Sequence, residues 1–214
     1  MDLTGFGIAG IQYSQNLTFN KYKETYSEKI PVSFNINDMK SSLRYGGARG
    51  TLFQVQFFNP VNGTATLDIP VKVRAASLPE SQLGVIPVFY FGRAIKYAGD
   101  RQFAPWQVTV INDEDFLIRN SLEEWSNAIN ALERNIRDLP GSEASLYKSN
   151  ATVLQYSKTG EVLREYTFRG IWPSAITPID LDWGGQDTIE EFQVQFEYDN
   201  YEVTGGITGN AGGA

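Results

Sequence analysis

Neither cysteine nor histidine occurs anywhere in the 214 residues. Without thiols the chain can form no disulfide, thiolate metal site or cysteine nucleophile. Without imidazole it loses Ser-His-Asp and Cys-His catalysis, His-ligated zinc or iron, and the commonest general base. An enzyme of this composition would have to rely on carboxylate, lysine, tyrosine or hydroxyl chemistry. No stretch approaches the ~18 apolar residues of a membrane-spanning helix. Positive charge is scarce as well: 18 Lys and Arg face 25 Asp and Glu, a formal net charge of −7. That is the wrong sign for a protein that grips phosphate. The opening MDLTGFGIAGIQYSQ lacks a basic n-region and an apolar core, so no signal peptide is expected. The glycosylation sequons at Asn16, Asn62 and Asn150 then read as fortuitous.

What is present is apolar and aromatic residues in alternation. The chain is 42% hydrophobic and 13% aromatic, which is globular and far from disorder. Thr51–Phe58 places Phe53, Val55 and Phe57 on one face, and Asn62-Gly63 behind it suggests a type I′ hairpin. Leu67–Arg74 reads as the next strand, with Leu67, Ile69, Val71 and Val73 inward and Pro70 marking an edge or bulge. Val85–Phe91 and Arg93–Ala98 form a hairpin about Gly92. Trp106–Ile111 is a further strand, and Ala151–Tyr156 pairs with Glu161–Trp172 across Lys158-Thr159-Gly160. Ile176–Leu181 is a short strand, and Glu190–Tyr201 has the cleanest alternation of all. One segment differs: between Asp115 and Asn135, Ile118, Leu122, Trp125, Ile129 and Leu132 fall on one helical stripe, closed by Pro140-Gly141. The expected fold is mainly β, an antiparallel sandwich or barrel with one packed α-helix. Three regions are expected: an extension over 1–35, a β domain over 36–202 and a glycine-rich tail over 203–214.

The residues that could carry chemistry have plainer explanations. Asn112-Asp113-Glu114-Asp115 could be a carboxylate site. A helix start explains every member, with Asn112 or Asp113 as N-cap and the acids in the first turn. Asp180 to Glu191 partly imitates a calcium loop, with Asp180, Asp182, Gly185 and Glu191 at positions one, three, six and twelve. Its fifth position is Gly184, which offers no side-chain oxygen, and the flanks are strand-like, so a tight turn is the better reading. A glycosidase pair of Glu123 or Glu124 with Asp182 has nothing in the sequence to bring it together. Gly5, Gly7 and Gly10 do not follow a strand of a βαβ unit, so they make no phosphate cradle. Arg93, Lys96 and Arg101 cluster on one hairpin, more a solvated or interface element than a nucleic-acid groove.

Several motifs then occur in one order: Ala98-Gly99-Asp100-Arg101, Trp106 leading a VTV strand, Asn112-Asp113-Glu114, Gly170-Ile171-Trp172-Pro173, Leu181-Asp182-Trp183 and the final EEFQVQFEYDNYE. In this the chain resembles the tail tube proteins of contractile-tailed phages of the T-even type, with Ile36 onward similar to that family's usual N-terminus. The resemblance implies a compact β subunit that assembles into hexameric rings with a continuous inner β-barrel, stacked helically into a hollow conduit. It implies no catalysis and no cofactor. Implied partners are further copies of the chain, a tail sheath outside, and tape-measure protein and transiting DNA inside. Tube-initiator and tail-terminator proteins are implied at the ends. The product would be part of the virion tail, made in the host cytoplasm, with no membrane insertion.

From this frame Glu191, Gln193, Gln195, Glu197 and Asp199 are expected to line the lumen. Subunit contacts are expected at Phe6, Ile8, Ile11 and Tyr13 of the arm, at Phe91, Arg93, Lys96 and Tyr97 of the hairpin, and at Arg137 after the helix. Competing readings are a tube-initiating baseplate protein, a secretion-system tube homologue and, from another class, a carbohydrate-binding β-sandwich.

Overall fold

A computed structural model describes residues 35–137, 143–205 and 210. The chain forms two compact units, Met1–Ala48 and Arg49–Ala214. In the first, helix α1 (Ile36–Ser42) starts at Asn35, whose side chain accepts from the Asn37 N–H at 3.0 Å.

The second unit is built on a seven-stranded antiparallel sheet in the order β1-β6-β7-β8-β5-β2, with β9 also paired to β7. Its members are β1 (Phe53–Phe57), β2 (Val73–Ala76), β5 (Trp106–Ile111), β6 (Ser149–Tyr156), β7 (Val162–Ile176), β8 (Glu191–Glu197) and β9 (Asn200–Thr204). Strand β7 serves both halves: Arg164–Arg169 pairs with β6, while Trp172–Ile176 pairs with β8. The register with β6 slips at Gly170, just before the change of partner between Ile171 and Trp172, and the Gly170 φ of +70° is costly for any residue with a Cβ. Folding the sheet at this corner brings the halves face to face. Trp106 of β5 stacks on Phe168 of β7 at 4.4 Å between centroids, and Phe57 of β1 meets Phe196 of β8 at 5.1 Å. Val55, Val108, Val110, Val153, Phe192 and Val194 fill the space between.

Helix α3 (Leu117–Ile129) packs onto this core by the expected stripe. Ile118, Leu122 and Trp125 are buried, and Ile129 is partly buried against the core. Trp125 donates its indole N–H to the Tyr147 carbonyl at 2.8 Å, which ties α3 to the short helix α4 (Ala144–Tyr147). The stripe stops sooner than its spacing suggests: Leu132 is 90% exposed. Asparagine side chains end the helix by competing for the backbone. Asn127 accepts from the Leu132 N–H at 3.1 Å, and Asn130 donates to Asn135 at 2.8 Å.

Four further expectations are corrected. Asn62-Gly63 does not turn a hairpin; Asn62 caps a 3-10 helix (Gly63–Leu67) by accepting from Thr64 N–H at 3.0 Å. The stretch after it is helix α2 (Ile69–Lys72), because Pro70 in a first helical turn lacks an N–H that would have gone unused. Val71 is accordingly exposed, while Ile69 and Val73 are buried. Ile176–Leu181 is no strand of its own: β7 runs on to Ile176 and the chain then leaves the sheet. Glu190–Tyr201 is two strands, because the chain turns at Tyr198-Asp199 and passes from the partner β5 to the other half of β7. The inward positions run through Phe192, Val194, Phe196 and Tyr198 and then change phase to Tyr201 and Val203, with Asp199 and Asn200 both exposed at the turn.

Beyond the sheet, β3 (Gln82–Tyr90) and β4 (Arg93–Gln102) form a two-stranded ribbon of their own.

Candidate functional site

The acidic run that began as a possible active site has another job. Neither Asn112 nor Asp113 caps α3. Phe116 occupies the cap position with φ +52°, and no acid lies in the first turn. Asn112 is buried at the end of β5 and donates its amide to Glu190 at 3.0 Å, while its backbone N–H donates to the Glu190 carbonyl at 2.9 Å. Asp115 accepts from the Leu117 N–H at 3.0 Å. Asp113 is turned toward Lys72, 2.8 Å away, which also meets Asp68 at 3.1 Å and Asp115 at 3.8 Å. The hydrogen bond from Lys72 holds the Asp113 carboxyl below its ordinary range, and the same bond raises the Lys72 ammonium. The acids are thus the counter-charges that fasten α2 to the loop before α3. Spacing alone cannot show this, since Lys72 and Asp113 are far apart in sequence.

The other chemical candidates are likewise engaged locally. Asp182 accepts from the Gly184 N–H at 2.9 Å, closing a turn in an exposed loop. Glu123 pairs with Arg119 at 2.8 Å, and Glu124 accepts from Asn120 at 3.0 Å and from Asn62.

What the fold does assemble is a set of surfaces. On β8 the residues Phe192, Val194 and Phe196 are buried, so Glu191, Gln193, Gln195 and Glu197 share the opposite, solvent-side face. Register extends the face sideways: Gln195 stands opposite Gln107, and Gln193 opposite Thr109, both on β5. On the flank, Ala175 of β7 stands beside Gln195, and Ala75 of β2 beside Thr109. The face is therefore polar but nearly neutral. Its one strand-borne cation, Arg74 of β2, is neutralised by Glu191, one guanidinium nitrogen donating to both carboxylate oxygens. Asp199 does not belong to it; it stands at the corner after β8 and meets Lys148 at 2.6 Å.

The hairpin candidates Phe91, Arg93, Lys96 and Tyr97 lie together on the β3–β4 ribbon and are all exposed. Arg137 is exposed beyond α3. Phe6, Ile8, Ile11 and Tyr13 lie outside the described residues.

One buried polar residue escaped the sequence reading. Asn59 donates to the Ser121 carbonyl at 2.7 Å and accepts from the Val61 and Asn62 N–H groups, pinning the loop after β1 to α3. The Asn-Pro pair at residues 59–60 was the available signal, a turn initiator.

Comparison with known proteins shows the family from which this fold comes. Residues 12–204 match the family described as phage tail tube protein. The tail tube protein gp19 of Enterobacteria phage T4 is 31% identical over 169 residues, covering 78% of this chain and 99% of that protein. A tail tube protein of Serratia phage KSP90 is 26% identical over 168 residues, covering 76% of this chain and 93% of that one. Among solved structures, the sheath/tube terminator structure of an extracellular contractile injection system shares the fold. Its TM-score is 0.54 at 15% identity, covering 74% of this chain and 97% of that chain. The anti-feeding prophage baseplate structure gives a TM-score of 0.52 at 14% identity, with 74% and 96% covered. Matched over most of its length and at this identity, the chain belongs to the phage tail tube protein family.

Proposed function

We propose that this chain is the repeating structural subunit of a contractile phage tail tube. Copies close into hexameric rings and rings stack into a hollow conduit, through which DNA passes behind a tape-measure protein, with the sheath outside. The observation that carries the reading is the outer face of β8 and β5. It is polar, held by an unbroken antiparallel ladder between β5 and β8, and its cation is already paired. A conduit for DNA needs a wall that offers water and neutral dipoles but no free cations, because phosphate contacts are what make proteins stick to DNA. We therefore assign Glu191, Gln193, Gln195 and Glu197, with Gln107 and Thr109, to the lumen. Closing the ring would also give β2 and β1, the ends of the sheet order, neighbours to pair with and so cover two of its edges.

Negative-stain electron microscopy of the purified chain tests the reading. Rings or tubes with an open centre are expected, and a strictly monomeric species at high concentration would refute it.

A further inference from the structure

The polar face of β8 and β5 has a bulge on each flank. Register along β7 runs from Pro173 opposite Phe196 to Ala175 opposite Gln195, so Ser174 is an extra residue, and its hydroxyl donates to the Gln195 carbonyl at 3.1 Å. Register along β2 runs from Val73 opposite Val110 to Ala75 opposite Thr109, so the extra residue there is Arg74. A bulge adds one residue to a strand and re-aims its side chain. On β7 the inserted group is small, and its hydroxyl proton goes to the backbone of the next strand. On β2 it is a cation long enough to cross β5, and it ends at Glu191 on β8.

Pairing does not remove Arg74 from solvent. Its side chain is 60% exposed, against 29% for Glu191. One guanidinium nitrogen serves both carboxylate oxygens, so among the described residues Nε and Nη2 of Arg74 have no partner. A guanidinium is a planar fork suited to phosphate as well as to carboxylate, and here part of that fork still faces water. The neighbouring cation is guarded differently. Lys72, only 19% exposed, has Asp68, Asp113 and Asp115 around it, whereas Arg74 has Glu191 alone. The neutrality of this wall therefore hangs on a single carboxylate in each copy.

We propose that Arg74 is a latent site for the phosphodiester backbone of DNA, held shut by Glu191, and that this one carboxylate decides whether the conduit lets DNA slide or grips it. The proposal rests on the tube reading, in which one such pair per copy recurs around every ring and along the whole conduit. Unmasked together, those arginines would form a phosphate-binding wall, because charge contacts accumulate along a DNA backbone.

Tubes pelleted with a short fluorescent DNA duplex across a range of salt test it. Glu191→Gln keeps an acceptor for Arg74 but removes the charge. Its tubes are expected to carry down on the order of tenfold more duplex than unmodified tubes at low salt, and to lose it steeply as salt rises. Arg74→Gln with Glu191→Gln keeps the parent's net charge of −7 and is expected to bind as little as the parent. Glu143→Gln, the same gain of charge at an exposed position before α4, is expected to bind as little too. E191Q tubes that carry no more duplex than unmodified ones, or a double variant or E143Q that binds as E191Q does, would overturn the latent site and leave the tube reading standing. So would an E191Q chain that fails to assemble, since the pair would then be holding the edge strand β2 rather than masking a charge. If the unmodified chain gives neither rings nor tubes, the tube reading falls and this site with it.

Discussion

At the scale of single residues, the sequence misled wherever a side chain's partner comes from far along the chain. Asp113 looked like a helix cap because caps are local signals; its partner is Lys72, brought near by folding. Because the Lys72 bond lowers the folded pKa of Asp113, the pair's stabilisation is present above the unfolded carboxylate value of about 3.9. It fades as pH falls through the lowered folded value. D113N is thus expected to unfold at lower temperature than the parent at pH 7, with the gap closing toward pH ~3, as thermal scans across that range would show. Gly170 offers a second check. A Cβ there would run into the Asp199 carboxylate, on a backbone already at φ +70°. Gly170→Ala should cost about 1–3 kcal/mol in urea denaturation, and a silent substitution would mean that the sheet corner is not tightly set.

At the scale of elements, period was a sound guide and boundaries were not. The helical stripe found α3, and alternation found β1, β5, β6, β7 and the β3–β4 ribbon, since both periods follow from backbone geometry. The stripe overran at Leu132 because the Asn127 side chain takes the Leu132 N–H that a continuing helix would use, a bond that hydrophobic spacing does not register. The two leucines therefore separate the helix from its apparent continuation. Leu122→Ala should destabilise by about 2–5 kcal/mol, whereas Leu132→Ala should stay within about 0.5 kcal/mol in the same chemical denaturation series. Equal effects would show that the stripe continues past Ile129. The alternation of Glu190–Tyr201 concealed a break because it holds without interruption up to Tyr198, and the phase shift that follows spans only Asp199 and Asn200 before Tyr201 packs inward again.

At the scale of the whole molecule, the division between a buried and a polar face is what a wall-forming subunit requires. If Gln193 and Gln195 face the conduit, Gln193→Lys with Gln195→Lys leaves assembly intact and turns a neutral wall into a cationic one. Tubes of that variant should retain DNA at low salt and release it as salt rises, in a gel-shift or co-sedimentation assay. Failure to assemble at all would instead place these residues in a subunit interface.

From sequence alone came the elimination of thiol and imidazole chemistry, the mainly β class, the helical stripe of α3 and the motif order shared with tail tube proteins. These depend on composition and on short-range periodicity, which the chain carries without folding. Tertiary structure alone decided that Asp113 and Asp115 serve Lys72, that β7 bends near Gly170 to serve two half-sheets, and that Arg74 is silenced by Glu191. Each of these depends on which residues meet across long sequence separations, and strand pairing decides that only once the sheet has closed.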